Sequence, residues 1–180
     1  LLESRGLGDV YKRQAIACDL SVPEMVNNTA GEIVERFPAI HGIIHNAGII
    51  GPVGNIFTVD EAKWNETLVV NLVSVQQLTR ALYPAMVNAG RCRVTTISSG
   101  AAVNSLESWS AYCTSKAGLD MWTRCLADEG GNDGISAVSI APGIVDTDMQ
   151  ATIRSAHRSD FPMVDRCLLY TSPSPRDSSK

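Results

Sequence analysis

RVTTISSGAAVNSLESWSAYCTSKAGLDMWTRCLADEGGNDGISAVSIAPG, residues 93–143, sets out a strand, a helix and a second strand in that order. Arg93-Val94-Thr95-Thr96-Ile97 is a short β-branched run with the composition of a strand. Trp109 to Gly130 is a long amphipathic segment with Gly130-Gly131 as the expected helix stop. Residues 135–140 form the next strand, which closes on Ala141-Pro142-Gly143, where Pro and Gly break regular structure and begin an exposed loop. Strand, helix and strand in succession are the sequence form of a β-α-β unit in a parallel sheet.

The same alternation continues upstream. Ala15-Ile16-Ala17-Cys18 reads as a strand ending at Asp19. Ser21-Val22-Pro23-Glu24 then provides a helix N-cap, a proline and an acid, with the helix reaching about Arg36. Gly42-Ile43-Ile44-His45 is the next strand, and a Gly/Pro loop runs from Gly48 to Gly54. A helical pattern follows from Asp60 to Val87, apolar on both faces, with Pro84 expected to interrupt it near its end. The fold class is therefore α/β, built on a parallel sheet.

The two ends of the chain do not read as protein design. Residues 4–14 and 167–177 resemble the translation of one library adaptor in its two orientations, which makes 1–14 and 167–180 adaptor-derived and 15–166 a partial domain. That stretch carries ten Lys+Arg against sixteen Asp+Glu, an acidic balance that argues against nucleic acid as a partner. No apolar run approaches the ~18 residues of a membrane span. Cys18, Cys92, Cys113 and Cys125 show no CxxC or Cys/His ligand spacing, so no metal site is expected. Reduced thiols fit a cytoplasmic setting.

In open α/β sheets ligands sit beyond the carboxyl ends of the strands. The residues there are Asp19, Asn46-Ala47-Gly48, Ser98-Ser99 and Pro142-Gly143 onward. Tyr112 and Lys116 lie four apart and so share one helix face. On an ordinary amphipathic helix that spacing usually means a lysine snorkelling beside a half-buried ring. Ser99, thirteen residues before Tyr112 at a strand end, changes the reading, because its hydroxyl can meet the phenol at the sheet edge. A phenol titrating near 10 is a weak acid at neutral pH, and a neighbouring ammonium is expected to draw it toward the working range.

His45-Asn46-Ala47-Gly48, Asn71, Ser99, Tyr112-xxx-Lys116 and Pro142-Gly143 together resemble the ordered motifs of the short-chain dehydrogenase/reductases over 15–166. The resemblance implies a Rossmann-like, doubly wound sheet with helices on both faces, whose N-terminal β-α-β and C-terminal elements are missing here. It implies Tyr112 as general acid, Ser99 as hydrogen-bond donor to a substrate carbonyl, Lys116 on the nicotinamide ribose and Asn71 holding a relay water. Asp19 would meet the adenine amino group, and Asn46, Ala47 and Gly48 would floor the adenosine ribose. Pro142, Gly143, Ile144, Val145 and Thr147 would contact the carboxamide and phosphates. Ser98 is the neighbouring alternative to Ser99, and His45, a position often filled by Asn in that family, is given no catalytic role.

A nearer resemblance, through Ser108-Trp109-Ser110-Ala111-Tyr112-Cys113, Lys116 to Met121 and Asp146 to Gln150, is to the benzil reductase and sepiapterin reductase branch. It implies NADP(H) in preference to NAD(H), a small dicarbonyl substrate, a lid over 149–161, and a homodimer or homotetramer. The glycine-rich phosphate turn of the family is absent, so the stretch as given is expected to bind nucleotide poorly. The alternative reading is a catalytically silent nucleotide-binding regulator on the same fold.

Overall fold

A computed structural model describes residues 15–143 and Met149. The elements are α1 (Pro23–Arg36), β1 (Gly42–His45), α2 (Glu61–Leu68), a π turn (Val69–Val73), α3 (Ser74–Asn88), β2 (Cys92–Ile97), α4 (Ser110–Gly130) and β3 (Ile135–Ile140), with 3-10 turns at Gly100–Ala102 and Gly131–Asp133. The three strands among the described residues are parallel, in the order β1-β2-β3.

Register assigns the faces. Ile43, Val94 and Ala137 lie side by side, as do His45, Thr96 and Ser139. This face is covered by helices: Cys92, Val94 and Ile135 pack with Ala30 of α1 and Leu82 and Met86 of α3. On the same face Thr96 bonds Thr123 of α4 at 2.9 Å, and Ser139 donates to Asp120 at 2.5 Å. Burying side chains such as Met86 and Val94 contributes about 1.5–3 kcal/mol each. Side chains alternate along a strand, so Ile44, Val138 and Ile140 point the other way; they are exposed among the described residues.

Three local expectations are corrected. Residues 15–18 form no strand: among the described residues no ladder partner meets them, and β1 pairs with β2 alone. Pro23 does open α1, but Val22 is the N-cap, since Ser21 is engaged by Asp19. Pro84 does not interrupt α3, which continues to Asn88. The lost backbone bond and ring clash cost ~3 kcal/mol, and burial of Leu82, Ala85 and Met86 on either side of the exposed proline offsets them. As expected, α4 stops at Gly130-Gly131, and after a 3-10 turn the chain takes its left-handed residue at Gly134 (φ 72°). A Cβ on Gly134 would stand 2.3 Å from the Gly90 carbonyl oxygen, so only glycine fits there.

Candidate active site

Because the strands are parallel, their carboxyl ends share one edge, where Asn46-Ala47-Gly48, Ser98-Ser99 and Ala141-Pro142-Gly143 emerge. Tyr112 and Lys116, near the start of α4, are buried against it at 7% and 4% exposure. Ser99 is extended (φ −156°, ψ 158°), and its Oγ accepts from Ala101 N–H at 3.2 Å. Its hydroxyl lies near enough to the Tyr112 phenol to favour the ionised form of that group. Lys116 Nζ donates to the Ile97 carbonyl at 2.7 Å and lies 5.6 Å from the centre of the Tyr112 ring.

Burial is the main influence on both titrating groups. It raises the Tyr112 phenol above its ordinary value, which the Ser99 hydroxyl partly opposes, and it lowers the Lys116 ammonium, which the Asp120 charge partly opposes. The ammonium was expected to lower the phenol. It stands over the ring and spends a proton on Ile97, so desolvation dominates.

Asn71 sits in the π turn, a feature with no residue signature that recurs at functional sites. Its Oδ1 accepts from Ile49 N–H at 2.8 Å, and its Nδ2 donates to the Ile49 carbonyl at 2.8 Å and to Ser115 Oγ at 3.0 Å. Ser115 in turn donates to the Tyr112 carbonyl at 2.8 Å. One amide thus ties the 46–50 loop to the Tyr112 helix. Ser115, fully buried, was not anticipated from sequence; its position inside Tyr112-xxx-Lys116 was the available signal.

These residues suit a ribosyl nucleotide. Lys116 makes one hydrogen bond among the described residues, leaving two N–H groups for hydroxyl oxygens. Gly48 keeps the approach open, since a Cβ there would stand 3.2 Å from Asn71 Oδ1 and 3.5 Å from Lys116 Nζ. A cavity of about 110 Å³ bordered by Leu20, Asn46 and Ala47 lies beside this floor. Asp19 is fully exposed, and one oxygen takes both Ser21 N–H (2.9 Å) and Ser21 Oγ–H (2.7 Å), which hold its carboxyl below the usual range. Ser98 is buried, with an Oγ that meets no partner among the described residues.

His45 is structural. Its Nε2 is 2.8 Å from Thr79 Oγ1, its ring stands edge-on to Trp122, and burial pushes its pKa down to about 4. Around the phenol, Ile50, Ala101 and Trp109 form an apolar cluster with Val53, Leu106, Cys113 and Met149; of these, the sequence motifs include Trp109, Cys113 and Met149 but not Ile50, Val53, Ala101 or Leu106. Pro142 and Gly143 follow β3 as expected, while Ile144, Val145, Thr147 and lid residues 150–161 fall outside the described residues. Among the described residues no three His, Cys, Asp or Glu side chains gather as metal ligands, and no helix is long and apolar enough to cross a membrane.

The family model for short chain dehydrogenases matches residues 7–158, a span that includes 7–14 of the stretch read as adaptor. The benzil reductase ((S)-benzoin forming) of Bacillus subtilis is 35% identical over 127 residues, 69% of this chain and 52% of that protein. Its counterpart in Bacillus cereus is 37% identical over 138 residues, 74% of this chain and 55% of that protein. This chain therefore spans about half the length of these relatives. The crystal structure of the KRED1-Pglu enzyme superposes with a TM-score of 0.77 at 36% identity, covering 84% of this chain and 63% of that one. With the motif residues converging at one sheet edge, the chain belongs to the short chain dehydrogenase family, in its benzil reductase-like branch.

Proposed function

We propose that the intact protein is an NAD(P)H-dependent carbonyl reductase that acts on ketones or 1,2-diketones, with NADPH as its reductant. The observation that carries this reading is the meeting of the Ser99 hydroxyl, the Tyr112 phenol and the Lys116 ammonium at the carboxyl edge of a parallel sheet. Benzil reductases among the relatives favour the dicarbonyl substrate.

When bound, the nicotinamide supplies a hydride to the carbonyl carbon. Ser99 Oγ donates a hydrogen bond to the carbonyl oxygen and holds it beside the phenol. Tyr112 Oη delivers the proton to that oxygen as negative charge develops there, a contribution of typically 10²–10⁴-fold for a positioned acid. A phenol pushed upward by burial stays protonated at neutral pH, as an acid must. Lys116 offers its spare N–H groups to the ribose hydroxyls and stabilises the phenolate left behind. The π turn opens the backbone at Asn71, the place for a relay water that returns the proton.

Asp19, Asn46, Ala47 and Gly48 are assigned to the adenosine half, and Pro142, Gly143, Ile144, Val145 and Thr147 to the carboxamide and phosphates. The free thiols Cys18, Cys92, Cys113 and Cys125 suit a cytoplasmic enzyme. Exposed Val73, Val87 and Met121 on the π turn and helices α3 and α4 suit a homodimer or homotetramer. Residues 1–14 and 167–180 are assigned to adaptor, with 15–166 as the partial domain.

The test is to express the intact protein and follow NADPH and NADH oxidation with benzil. Consumption of NADPH supports the reading. Tight nucleotide binding with no turnover on any carbonyl would replace it with the silent regulator.

A further inference from the structure

Tyr112, Lys116 and Asp120 stand at successive four-residue steps along α4, so phenol, ammonium and carboxylate share one stripe of the helix. That stripe faces the sheet: Tyr112 and Lys116 are buried, and Lys116 Nζ donates to the Ile97 carbonyl at the end of β2. Asp120 is half-buried, and its Oδ1 accepts from Ser139 Oγ–H at 2.5 Å. Ser139 lies on β3, three residues before Pro142. One short bond thus fixes the carboxylate to the strand that leads into the Pro142-Gly143 end of the site. Among the described residues Asp120 makes no ion pair.

The other charged groups on the surrounding elements are engaged elsewhere or turned to solvent. Glu61, Lys63 and Glu66 of α2 are exposed, as are Arg93 of β2 and Arg124 on α4 itself. Asp133, in the turn after α4, is held by the Tyr83 hydroxyl at 2.8 Å. His45 of β1 has a pKa of about 4 and is neutral at pH 7, and the Cys113 thiol donates to the Asn104 carbonyl at 3.8 Å. Burial acts against the Lys116 charge, and Asp120 is the charge that offsets it in part. Water and salt screen such a partly buried pair much less than a pair on the surface.

We propose that Asp120, clasped by Ser139, is a positioning residue for Lys116: its carboxylate is the counter-charge of the ammonium on which the site depends. The weight given to that ammonium rests on the carbonyl reductase reading, in which Lys116 must be charged to hold the ribose hydroxyls and to stabilise the phenolate. A lysine buried against a carbonyl and a ring otherwise sheds its proton more readily, because burial disfavours the charged form. A direct ion pair would restore the charge but would occupy an N–H of Lys116. Ser139 holds the carboxylate back on the sheet, so Asp120 acts through space and leaves two of those N–H groups open to the nucleotide.

The experiment titrates Lys116 in the intact, nucleotide-free protein, reading the rate of its acetylation by trace acetic anhydride against pH. Asp120→Asn keeps an acceptor for Ser139 and removes the charge, and Asp120→Glu restores the charge. The midpoint is expected to fall by about half a pH unit or more in Asp120→Asn and to return toward the parent's in Asp120→Glu. Ser139→Ala leaves the carboxylate but frees it to turn toward solvent, and is expected to move the midpoint the same way by less. An unmoved midpoint in Asp120→Asn, or in Ser139→Ala should the Asn variant not fold, overturns the proposal. So does an Asp120→Glu midpoint as low as that of Asp120→Asn, since packing and not charge would then be the cause. NADPH affinity, followed by fluorescence titration over the same range, should weaken at a lower pH in Asp120→Asn than in the parent. A parent that binds no nucleotide at any pH removes the reductase reading, while the acetylation result still decides the role of Asp120.

Discussion

Lowering the pH from 7 to 4.5 should destabilise this fold through one imidazole. His45 is 8% exposed. Thr79 gives its own proton to the Val75 carbonyl at 2.8 Å, so His45 Nε2–H is the donor to Thr79 Oγ1. Burial holds its pKa at about 4 against an ordinary 6.5. Below pH 6.5 the unfolded chain binds this proton and the folded chain does not, until about pH 4. The stability is whole above 6.5, declines between 6.5 and 4, and the loss saturates below that. Full linkage over that gap amounts to about 3 kcal/mol, of which about 2 is lost by pH 4.5. His45→Gln keeps a donor for Thr79 and cannot titrate. Thermal unfolding of both proteins at pH 7 and 4.5 should show the parent losing roughly 5–10 °C more than the variant. Equal losses would refute the assignment of a buried neutral His45.

Ser99→Ala should lower kcat/KM roughly 10- to 1000-fold, as for loss of one donor to a developing oxyanion, with nucleotide affinity measured by fluorescence titration within a few-fold. Lys116→Met should weaken nucleotide binding and move the apparent pKa for alcohol oxidation upward, because the cation that favours the phenolate is gone; an unmoved profile would deny Lys116 that role. Gly51→Ala should destabilise by ~2 kcal/mol or more in urea unfolding, since φ is 75° and the new Cβ would stand 2.1 Å from Thr67 Oγ1.

The strands were legible because β-branched runs at 42–45, 93–97 and 135–140 are bounded by Gly and Pro, and the structure moves those limits by one residue, at Cys92. Ser99, Tyr112 and Lys116 were legible because two short spacings, thirteen and four, place them at the end of one strand and on one helix face. The π turn was not, since a shift in hydrogen-bond register leaves the apolar pattern of 60–87 unchanged. Ser115 escaped notice because its importance depends on Asn71, forty-four residues away. Val53 and Leu106 gather around the phenol only once two loops are clasped by Gly54 and Ser108, a contact that no local pattern encodes. Gly130-Gly131 was legible as the stop of α4, and Gly130 also allows close packing on Ile135, whose Cβ lies 3.0 Å from where a Gly130 Cβ would be.

The most direct test of the catalytic assignment is single-turnover reduction of benzil by NADPH in the intact protein and its Tyr112→Phe variant, with nucleotide affinity measured on both. Phe keeps the ring's packing against Trp109, edge-on at 5.8 Å, and removes only the proton donor. The rate should fall by ~10² or more while affinity stays within a few-fold. A variant that reduces benzil at the parental rate, or loses turnover and nucleotide affinity together, would contradict Tyr112 as the general acid.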